Sequence, residues 1–250
     1  MATWVKGRLE TFQSSCIESW ASGKCNIVGK LSIVATPIGN LEDITLRALR
    51  TLKECDAILC EDTRVTKKLL SHYGIHTPTM PFHAHSAKSA FEKIVELLKV
   101  GKHLALVTDA GTPAISDPGA YLVETVRRES PNTTIEAIPG ASSVSAALSI
   151  AGVPSDSYTF LGFLPHKKGR KTMLDTLTQL EGTVIMFESP HRIKKLIDEV
   201  AARTPNRTVT LCRELTKKFE EVRSGTATEL ASRIGSGIPT RGEFVVILSP

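Results

Sequence analysis

Short apolar runs alternate with amphipathic segments from residue 31 to the end of the chain. Apolar runs that end in turn-forming residues predict buried strands, and apolar residues spaced three and four apart predict helices with one buried face. By these criteria the strands are 31–36, 57–60, 79–82, 103–107, 135–138, 158–161, 183–187, 208–212 and 244–248. The helices predicted in the same way include 120–128, 168–180, 190–202 and 227–234.

This alternation is typical of α/β proteins, in which helices cover the faces of a mainly parallel sheet. We predict an α/β fold of two α/β domains with largely parallel sheets and a cleft between them. The N-terminal domain is predicted over residues 31–145 and the C-terminal domain over 146–250, with no low-complexity linker. Residues 1–30 show no sustained apolar period, so we predict a leader that is unstructured or removed by processing.

The composition excludes several other classes of protein. Apolar residues make up 41% of the chain and charged residues 23%, which is typical of globular domains. No apolar run approaches the roughly 18 residues of a membrane span. The five cysteines lack the spacing of a zinc site or a disulfide framework. We therefore predict a soluble cytoplasmic protein, or an organellar one if residues 1–30 are a presequence.

Positive charge is concentrated in the second half of the chain. Residues 141–250 contain 15 basic and 11 acidic residues. Two basic clusters stand beside predicted strand ends, where we expect them to contact RNA phosphates. Their members are Lys167, Lys168, Arg170, Lys171, His191, Arg192, Lys194 and Lys195. A solvated helix face is the alternative interpretation of each cluster.

Polar and glycine-rich segments follow most of the predicted strands. Ligands of open α/β sheets bind beyond the carboxyl ends of the strands, so these segments should border a cleft. The most informative segment is the loop 108–119, where Gly111 and Gly119 permit close backbone approach and Asp109 can bind a hydroxyl or amino group. An elaborate structural turn is the alternative interpretation of this loop.

Motifs of several other enzyme classes are missing. No G-x-G-x-x-G follows the first predicted strand, and neither a P-loop nor a G-x-S-x-G motif occurs. His83 and His85 form a possible metal pair, but no third ligand is evident, so no metal site is predicted. These absences weigh against a dinucleotide oxidoreductase, a P-loop NTPase and a serine hydrolase.

Eight ordered segments resemble the tetrapyrrole methylase superfamily, and most closely its branch of 16S ribosomal RNA cytidine 2′-O-methyltransferases. The segments are TPIGNLEDITLRAL (36–49), CEDTRVTKKLL (60–70), LVTDAGTPAISDPG (106–119), IPGASSVSAAL (138–148), GFLPHKKGRK (162–171), FESPHRI (187–193), CRELTKKFEE (212–221) and RGEFVVI (241–247). The resemblance implies a homodimer that binds S-adenosylmethionine between two domains. It also implies methyl transfer to a ribose oxygen of small-subunit ribosomal RNA, either free or in the assembled subunit.

The resemblance also implies roles for individual residues. Those implied to contact the cofactor are Pro37, Asp109, Ala110, Gly111, Thr112, Pro113, Ile115, Pro139, Gly140, Phe163, Leu164, Glu188 and Glu214. Residues implied on the substrate side are Glu61, Asp62, Arg64, His191 and Arg192. The candidates for catalysis are Glu61, Asp62 and Arg64: a positioned base would assist the poorly nucleophilic ribose hydroxyl, for which Glu188 is a further candidate, and Arg64 can orient a carboxylate or hold a phosphate. A structural role for Asp62 as a helix cap remains the alternative.

Two other functions stay open at this stage. Methylation of a tetrapyrrole is possible on the same fold, although the basic clusters favour RNA. A non-catalytic RNA-binding or ribosome-assembly module that has lost its cofactor is the second alternative, and the intact segment 106–119 argues against it.

Overall fold

The fold is described by a computed structural model of residues 28–83, 88–117 and 119–250. The predicted leader lies almost wholly outside these residues, as do His85 and Pro118. Lys30, which the prediction assigned to the leader, is the first residue of the first strand. No helix in the described part of the chain is long and apolar enough to cross a membrane.

The first half of the chain folds into a five-stranded parallel sheet. Its strands are β1 (Lys30–Val34), β2 (Ala57–Cys60), β3 (Thr79–Pro81), β4 (His103–Leu106) and β5 (Thr134–Ile138), in the spatial order β3-β2-β4-β1-β5. The helices between them are α1 (Leu46–Glu54), α2 (Thr63–His72), α3 (Lys88–Lys99) and α4 (Gly119–Glu129). The apolar residues of the strands are buried on both faces of the sheet, in two separate clusters.

The second half forms another five-stranded sheet. Its strands are β6 (Tyr158–Phe163), β7 (Thr183–Glu188), β8 (Thr208–Arg213), β9 (Glu221–Thr226) and β10 (Phe244–Ser249), in the order β6-β7-β10-β8-β9. The helices of this half are α5 (Ser143–Ala151), α6 (Arg170–Thr176), α7 (Ile193–Ala201) and α8 (Ala227–Arg233). The α/β class predicted from the sequence is therefore confirmed.

Strand direction in the second sheet differs from the expected pattern. Only β6 and β7 pair in parallel, whereas β10 is antiparallel to both β7 and β8, and β8 is antiparallel to β9. The segment 214–220 between β8 and β9 is too short for the crossover that a parallel pair requires. Strand β9 was not predicted, because it is an edge strand of mainly polar, partly exposed residues without an apolar run.

Helix α5 connects the two halves by packing on the second sheet. Val144 and Ala147 of this helix join a buried cluster with Ile185, Cys212 and Val245 from the strands. The predicted domain boundary at 145/146 falls within α5, and it stays a prediction. Because only residues 139–142 separate β5 from α5, this helix links the first sheet to the core of the second.

Candidate active site

A cavity of about 830 Å³ lies where the two halves of the chain meet. It is lined by Ile38, Glu61, Thr108, Asp109, Ala110, Ile115, Ser116, Asp117 and Ser143 from the first half. The second half contributes Phe163, Phe187, Glu188, Ser189, Pro190, Cys212, Leu215, Glu243, Phe244 and Val245. Most of these residues end or follow β2, β4, β6, β7 or β8, so the carboxyl-end rule located the cavity correctly.

The loop between β4 and α4 has a tightly defined conformation. Gly111 has a φ of +85° and exchanges two backbone hydrogen bonds with Thr36, with N···O distances of 2.9 and 3.1 Å. The Asp117 carboxylate accepts hydrogen bonds from the backbone N–H groups of Ala114 and Gly119. These contacts hold Asp109, Ala110 and the residues up to Asp117 against the cavity.

Backbone strain is concentrated around this cavity. Ala114, Ser116, Glu214 and Thr216 have φ values between +51° and +70° and are the non-glycine residues with positive φ in the described part of the chain. The first two belong to the loop after β4, and the other two flank Leu215, which lines the cavity. Residues held in this sparsely populated conformation cluster at ligand sites, because the surrounding contacts must enforce it.

Glu61 and Asp109 place carboxylates at the cavity wall. Burial raises the pKa of Glu61, and the negative charges of Asp109 and Asp117 raise it further, while Thr108 and His83 act in the opposite direction. Asp109 accepts a hydrogen bond from the backbone N–H of Asp62 at 3.1 Å, which ties the end of β2 to the loop after β4. A carboxylate with a raised pKa is a stronger base and is a feature of catalytic sites.

Asp62 and Arg64 interact with each other instead of lining the cavity. The Asp62 side chain caps α2 by accepting from the backbone N–H of Arg64 at 2.8 Å, and it also binds the Arg64 guanidinium at 2.6 Å. The hydrogen bonds from Arg64 lower the pKa of Asp62 to about 2. Such a carboxylate is a weak base, so Asp62 has the geometry of a helix cap. The Arg64 side chain is 86% exposed and can still contact a phosphate.

Glu188 is the centre of a buried ionic network at the end of β7. One oxygen, Oε1, accepts from the backbone N–H of Ser189 at 2.8 Å and from Arg192 at 2.6 Å. The other oxygen, Oε2, is buried without a hydrogen-bond partner among the described residues, and the Arg170 guanidinium lies 3.8 Å from it. Glu188 is also part of the lining of the cavity.

Arg170 and Arg192, which were predicted to contact RNA, differ from the other members of the basic clusters because both form ion pairs with glutamates. The Arg170 side chain is only 7% exposed and binds Glu199 at 2.6 Å, and Arg192 also donates to the carbonyl oxygen of Leu164 at 3.1 Å. A guanidinium that is buried and fully engaged has no free face for an RNA phosphate. We therefore correct the assignment of Arg170, which has a structural role, and Arg192 is held in the same network.

The remaining members of the clusters are exposed side chains. Lys167, Lys168 and Lys171 lie at the start of α6. Lys194 and Lys195 lie on α7, beside His191, where they border a shallow groove of about 520 Å³. Lys194 forms an exposed ion pair with Asp198 at 3.6 Å, which is a weak interaction. These lysines are therefore free to interact with a polyanion.

The predicted cofactor residues fall into two groups. Asp109, Ala110, Ile115, Phe163 and Glu188 line the cavity. The others are not part of its lining: Pro37, Gly111, Thr112, Pro113, Pro139, Gly140, Leu164 and Glu214. Among these, Leu164 is 1% exposed within the hydrophobic core, and Glu214 accepts hydrogen bonds from Lys217 and from the backbone N–H of Glu243. For these two residues the geometry indicates a structural role.

Sequence reasoning missed several residues that line the cavity. Glu243 and Val245 lie at the amino end of β10, which reaches the cavity only because that strand is antiparallel to its neighbours. A rule based on the carboxyl ends of parallel strands could not identify them. Phe187 and Leu215 could have been found, because each lies next to a residue that was predicted, Glu188 or Glu214.

The chain is similar to known proteins along most of its length. The family model described as "Tetrapyrrole (Corrin/Porphyrin) Methylases" matches residues 30–231. This chain belongs to the tetrapyrrole methylase family. It is 45% identical over 221 residues to the ribosomal RNA small subunit methyltransferase I of Halalkalibacterium halodurans, a match that covers 88% of this chain and 75% of that protein. The protein of the same name from Thermotoga maritima is 42% identical over 222 residues, which are 89% of this chain and 99% of that protein.

Solved structures of other proteins share this fold at low sequence identity. Uroporphyrin-III-C-methyltransferase from Thermus thermophilus aligns with a TM-score of 0.61 at 20% identity, over 88% of this chain and 94% of that one. A diphthine synthase aligns with a TM-score of 0.67 at 16% identity, over 88% and 90% of the two chains. The family and the enzyme class predicted from the sequence, an S-adenosylmethionine-dependent methyltransferase, are confirmed.

The cavity of this tetrapyrrole methylase fits S-adenosylmethionine. Its volume falls within the roughly 300–1,000 Å³ typical of small-molecule sites. Phe163, which is 57% exposed, and Phe187 offer aromatic surface to an adenine ring. The carboxylates of Asp109 and Glu188 can accept hydrogen bonds from ribose hydroxyl or amino groups, and Glu188 has an oxygen without a partner in the described residues. No group of three or more His, Cys, Asp or Glu in that same part of the chain is arranged to hold a metal ion.

Proposed function

We propose that this chain transfers the methyl group of S-adenosylmethionine to the 2′-hydroxyl of a cytidine in small-subunit, 16S-type ribosomal RNA. The observation that carries the proposal is the combination of an acidic cavity that suits a cationic cofactor with exposed lysines on neighbouring elements. The printed names of the relatives, ribosomal RNA small subunit methyltransferases, support this choice of substrate.

Glu61 is the residue that we propose as the general base. Bound S-adenosylmethionine supplies an electrophilic methyl group on a sulfonium. Glu61 lines the cavity, and its raised pKa gives the carboxylate a higher affinity for the proton of an attacking hydroxyl. Asp62 holds the start of α2, and Arg64 projects from it toward solvent, where it contacts a phosphate of the bound RNA. The chain thereby orients the hydroxyl for in-line transfer.

The substrate surface is proposed to include the exposed members of the two basic clusters. Lys167, Lys168 and Lys171 together carry more positive charge than one small zwitterionic ligand requires. They also lie in the segment after Phe163, which lines the cavity, so an RNA bound to them passes near the reacting atoms. Phosphate contacts position a nucleic acid without reading its sequence.

The assembly and location of the protein are further parts of the proposal. The family resemblance implies a homodimer, and sedimentation velocity should give twice the mass of one 27.1 kDa chain. Because the proposed substrate is ribosomal RNA, we propose that the enzyme acts in the cytoplasm, or in an organelle if residues 1–30 are a presequence. A monomer at all concentrations would contradict the dimer without affecting the proposed reaction.

The deciding experiment is a methylation assay with the purified chain and labelled S-adenosylmethionine. Isolated small subunits, free small-subunit RNA and a tetrapyrrole precursor are offered in parallel. We expect label in the RNA, and nuclease digestion followed by mass spectrometry should place the methyl group on a cytidine ribose. Label in the tetrapyrrole alone would favour the other branch of the family, and binding of RNA without any transfer would favour a non-catalytic module.

The role of the lysines has a separate test. Replacement of Lys167, Lys168 and Lys171 by alanine should weaken RNA binding and flatten its dependence on salt, by about 0.7–0.9 log units per log unit of salt for each lost phosphate contact. Calorimetry should give an unchanged cofactor affinity, because none of the three lines the cavity. An unchanged salt dependence would mean that these lysines only solvate the surface.

A further inference from the structure

The cavity carries negative charge on both of its walls. Glu61, Asp109 and Asp117 lie on the wall formed by the first half of the chain, and Glu188 and Glu243 lie on the opposite wall. No Lys or Arg of the described residues is part of the lining. The cavity is therefore electrostatically suited to a cation and unsuited to an RNA phosphate.

The charges on the two walls are compensated to different degrees. Glu243 pairs with Lys217 at 2.9 Å, and Glu188 pairs with Arg192 at 2.6 Å. Within residues 28–83, 88–117 and 119–250, no Lys or Arg forms an ion pair with Glu61, Asp109 or Asp117, and His83 is the group whose positive charge opposes the raised pKa of Glu61. Asp117 is satisfied by backbone N–H groups, which are dipoles and leave its net charge in place. Burial raises the pKa of Glu61, and the negative charges of Asp109 and Asp117 raise it further, as expected for like charges in one partly buried space.

An independent observation also indicates a ligand at this place. The Glu188 side chain is fully buried, yet its Oε2 atom has no hydrogen-bond partner in the described part of the chain. A buried carboxylate oxygen without a partner costs free energy, and it is retained where a donor from outside the chain completes it. Glu188 is part of the lining of the same cavity, and its oxygen without a partner is consistent with a ligand bound there.

We propose that these carboxylates make the cavity selective for the charge of its ligand, so that it favours the sulfonium cation of S-adenosylmethionine over the neutral thioether S-adenosylhomocysteine. This inference rests on the proposed function. In the transfer the S–CH₃ bond breaks and the O–CH₃ bond forms, the sulfur keeps the bonding electron pair and becomes neutral, and the hydroxyl proton passes to the base. The attraction between the cavity and its ligand therefore weakens with each turnover, which assists product release.

The test is a calorimetric comparison of three ligands on the full-length protein. S-adenosylmethionine is compared with S-adenosylhomocysteine and with sinefungin, which bears an amine in place of the methylated sulfur. The variants are Asp109→Asn, which keeps the acceptor for the Asp62 N–H, and Glu61→Gln. The control is Glu92→Gln, an exposed residue of α3 that is not part of the cavity lining.

Each cavity variant should lose affinity for the two cationic ligands by about tenfold, since a unit charge removed about 8 Å away at an effective dielectric constant of about 30 has roughly this effect. Affinity for S-adenosylhomocysteine should change less than about threefold, and Glu92→Gln should change neither. Equal losses for charged and neutral ligands would overturn the inference, because the carboxylates would then serve only as hydrogen-bond acceptors.

Failure of the proposed function gives a different result in the same experiment. If the wild-type chain binds none of the three ligands, the assignment of the cofactor fails and the inference fails with it. If the wild type binds S-adenosylmethionine and the ratio of the affinities for cationic and neutral ligands is unchanged in both variants, only the charge selectivity is refuted. Glu188→Gln is a third variant, and urea unfolding must accompany it because Arg192 loses its charged partner.

Discussion

Replacing Arg170 by methionine distinguishes a structural arginine from an RNA contact. The Arg170 guanidinium binds Glu199 at 2.6 and 3.0 Å, donates to the carbonyl oxygen of Pro165 at 3.3 Å and lies 3.8 Å from Glu188. Methionine retains most of the apolar stem and removes every one of these polar contacts. The variant leaves the fully buried Glu188 with one cation fewer and leaves Glu199, which is 23% exposed, without a partner.

The expected loss of stability follows from this geometry. Removal of one partner from a buried ion pair costs about 3–5 kcal/mol, because the remaining charge is left uncompensated. We expect about 3 kcal/mol for Arg170→Met, at the lower end of that range, since water can reach part of Glu199. This is a large fraction of the roughly 5–15 kcal/mol that stabilises a typical domain.

Urea unfolding followed by circular dichroism measures this loss, with RNA binding measured on the same samples. Arg170→Met should lower the midpoint by about 1 M urea, given a slope of about 3 kcal/mol/M for a large domain. Lys171→Met is the matched control: its exposed side chain should change stability by less than about 0.5 kcal/mol and weaken RNA binding. The double variant Arg170→Met/Glu199→Met should lose less than the sum of the single losses, since the pair is removed together. A wild-type midpoint combined with lost RNA affinity in Arg170→Met would refute the structural assignment.

Two further predictions concern the cavity. Gly111→Ala and Gly152→Ala should each destabilise the protein by roughly 1 kcal/mol, because both glycines have positive φ (+85° and +65°). Only Gly111→Ala should also weaken cofactor binding in calorimetry, because its Cβ would lie 3.3 Å from Ile38, which lines the cavity, whereas a Cβ at Gly152 meets no neighbouring atom within 4 Å. The raised pKa of Glu61 means that the folded state binds its proton more tightly than the unfolded state, so this residue lowers stability as the pH rises from about 4.5 through the folded-state pKa. Glu61→Gln should therefore gain stability relative to wild type across that window, and urea unfolding at several pH values would show a constant difference if the reasoning is incorrect.

The apolar runs were sufficient to predict most strands and the class of the fold. All four residues of β2 and three of the four residues of β4 are buried and apolar, and these apolar runs are visible in the sequence without any tertiary information. The segments after these strands, with Glu61 and Asp109, were likewise predicted to border a cleft, and both residues line the cavity. Such predictions succeed because alternating strands and helices imply parallel strands, and the carboxyl ends of parallel strands lie at the same edge of the sheet, where ligands bind.

In the second sheet, local sequence patterns were not sufficient to predict strand direction or the edge strand. The direction of β10 depends on which strands it pairs with. Its run of six buried residues is compatible with parallel and with antiparallel pairing, so the run alone does not predict the direction. Glu243 was missed for this reason, and β9 was missed because the pairing of an edge strand depends on its neighbour more than on its own residues. Register and direction are set by contacts between segments that are distant in the chain.

The two basic clusters show the same division between sequence and structure. The sequence determined that many positive charges follow Phe163 and Glu188, and thus that a polyanion is a plausible partner for this half of the chain. Only the tertiary structure decided which of these charges can contact a polyanion. Arg170 is paired with Glu199 and Arg192 with Glu188, and both side chains are largely buried, whereas the lysines are exposed to solvent. A sequence records the sign of a charge, but the partner and the burial that decide its role arise only when distant segments pack together.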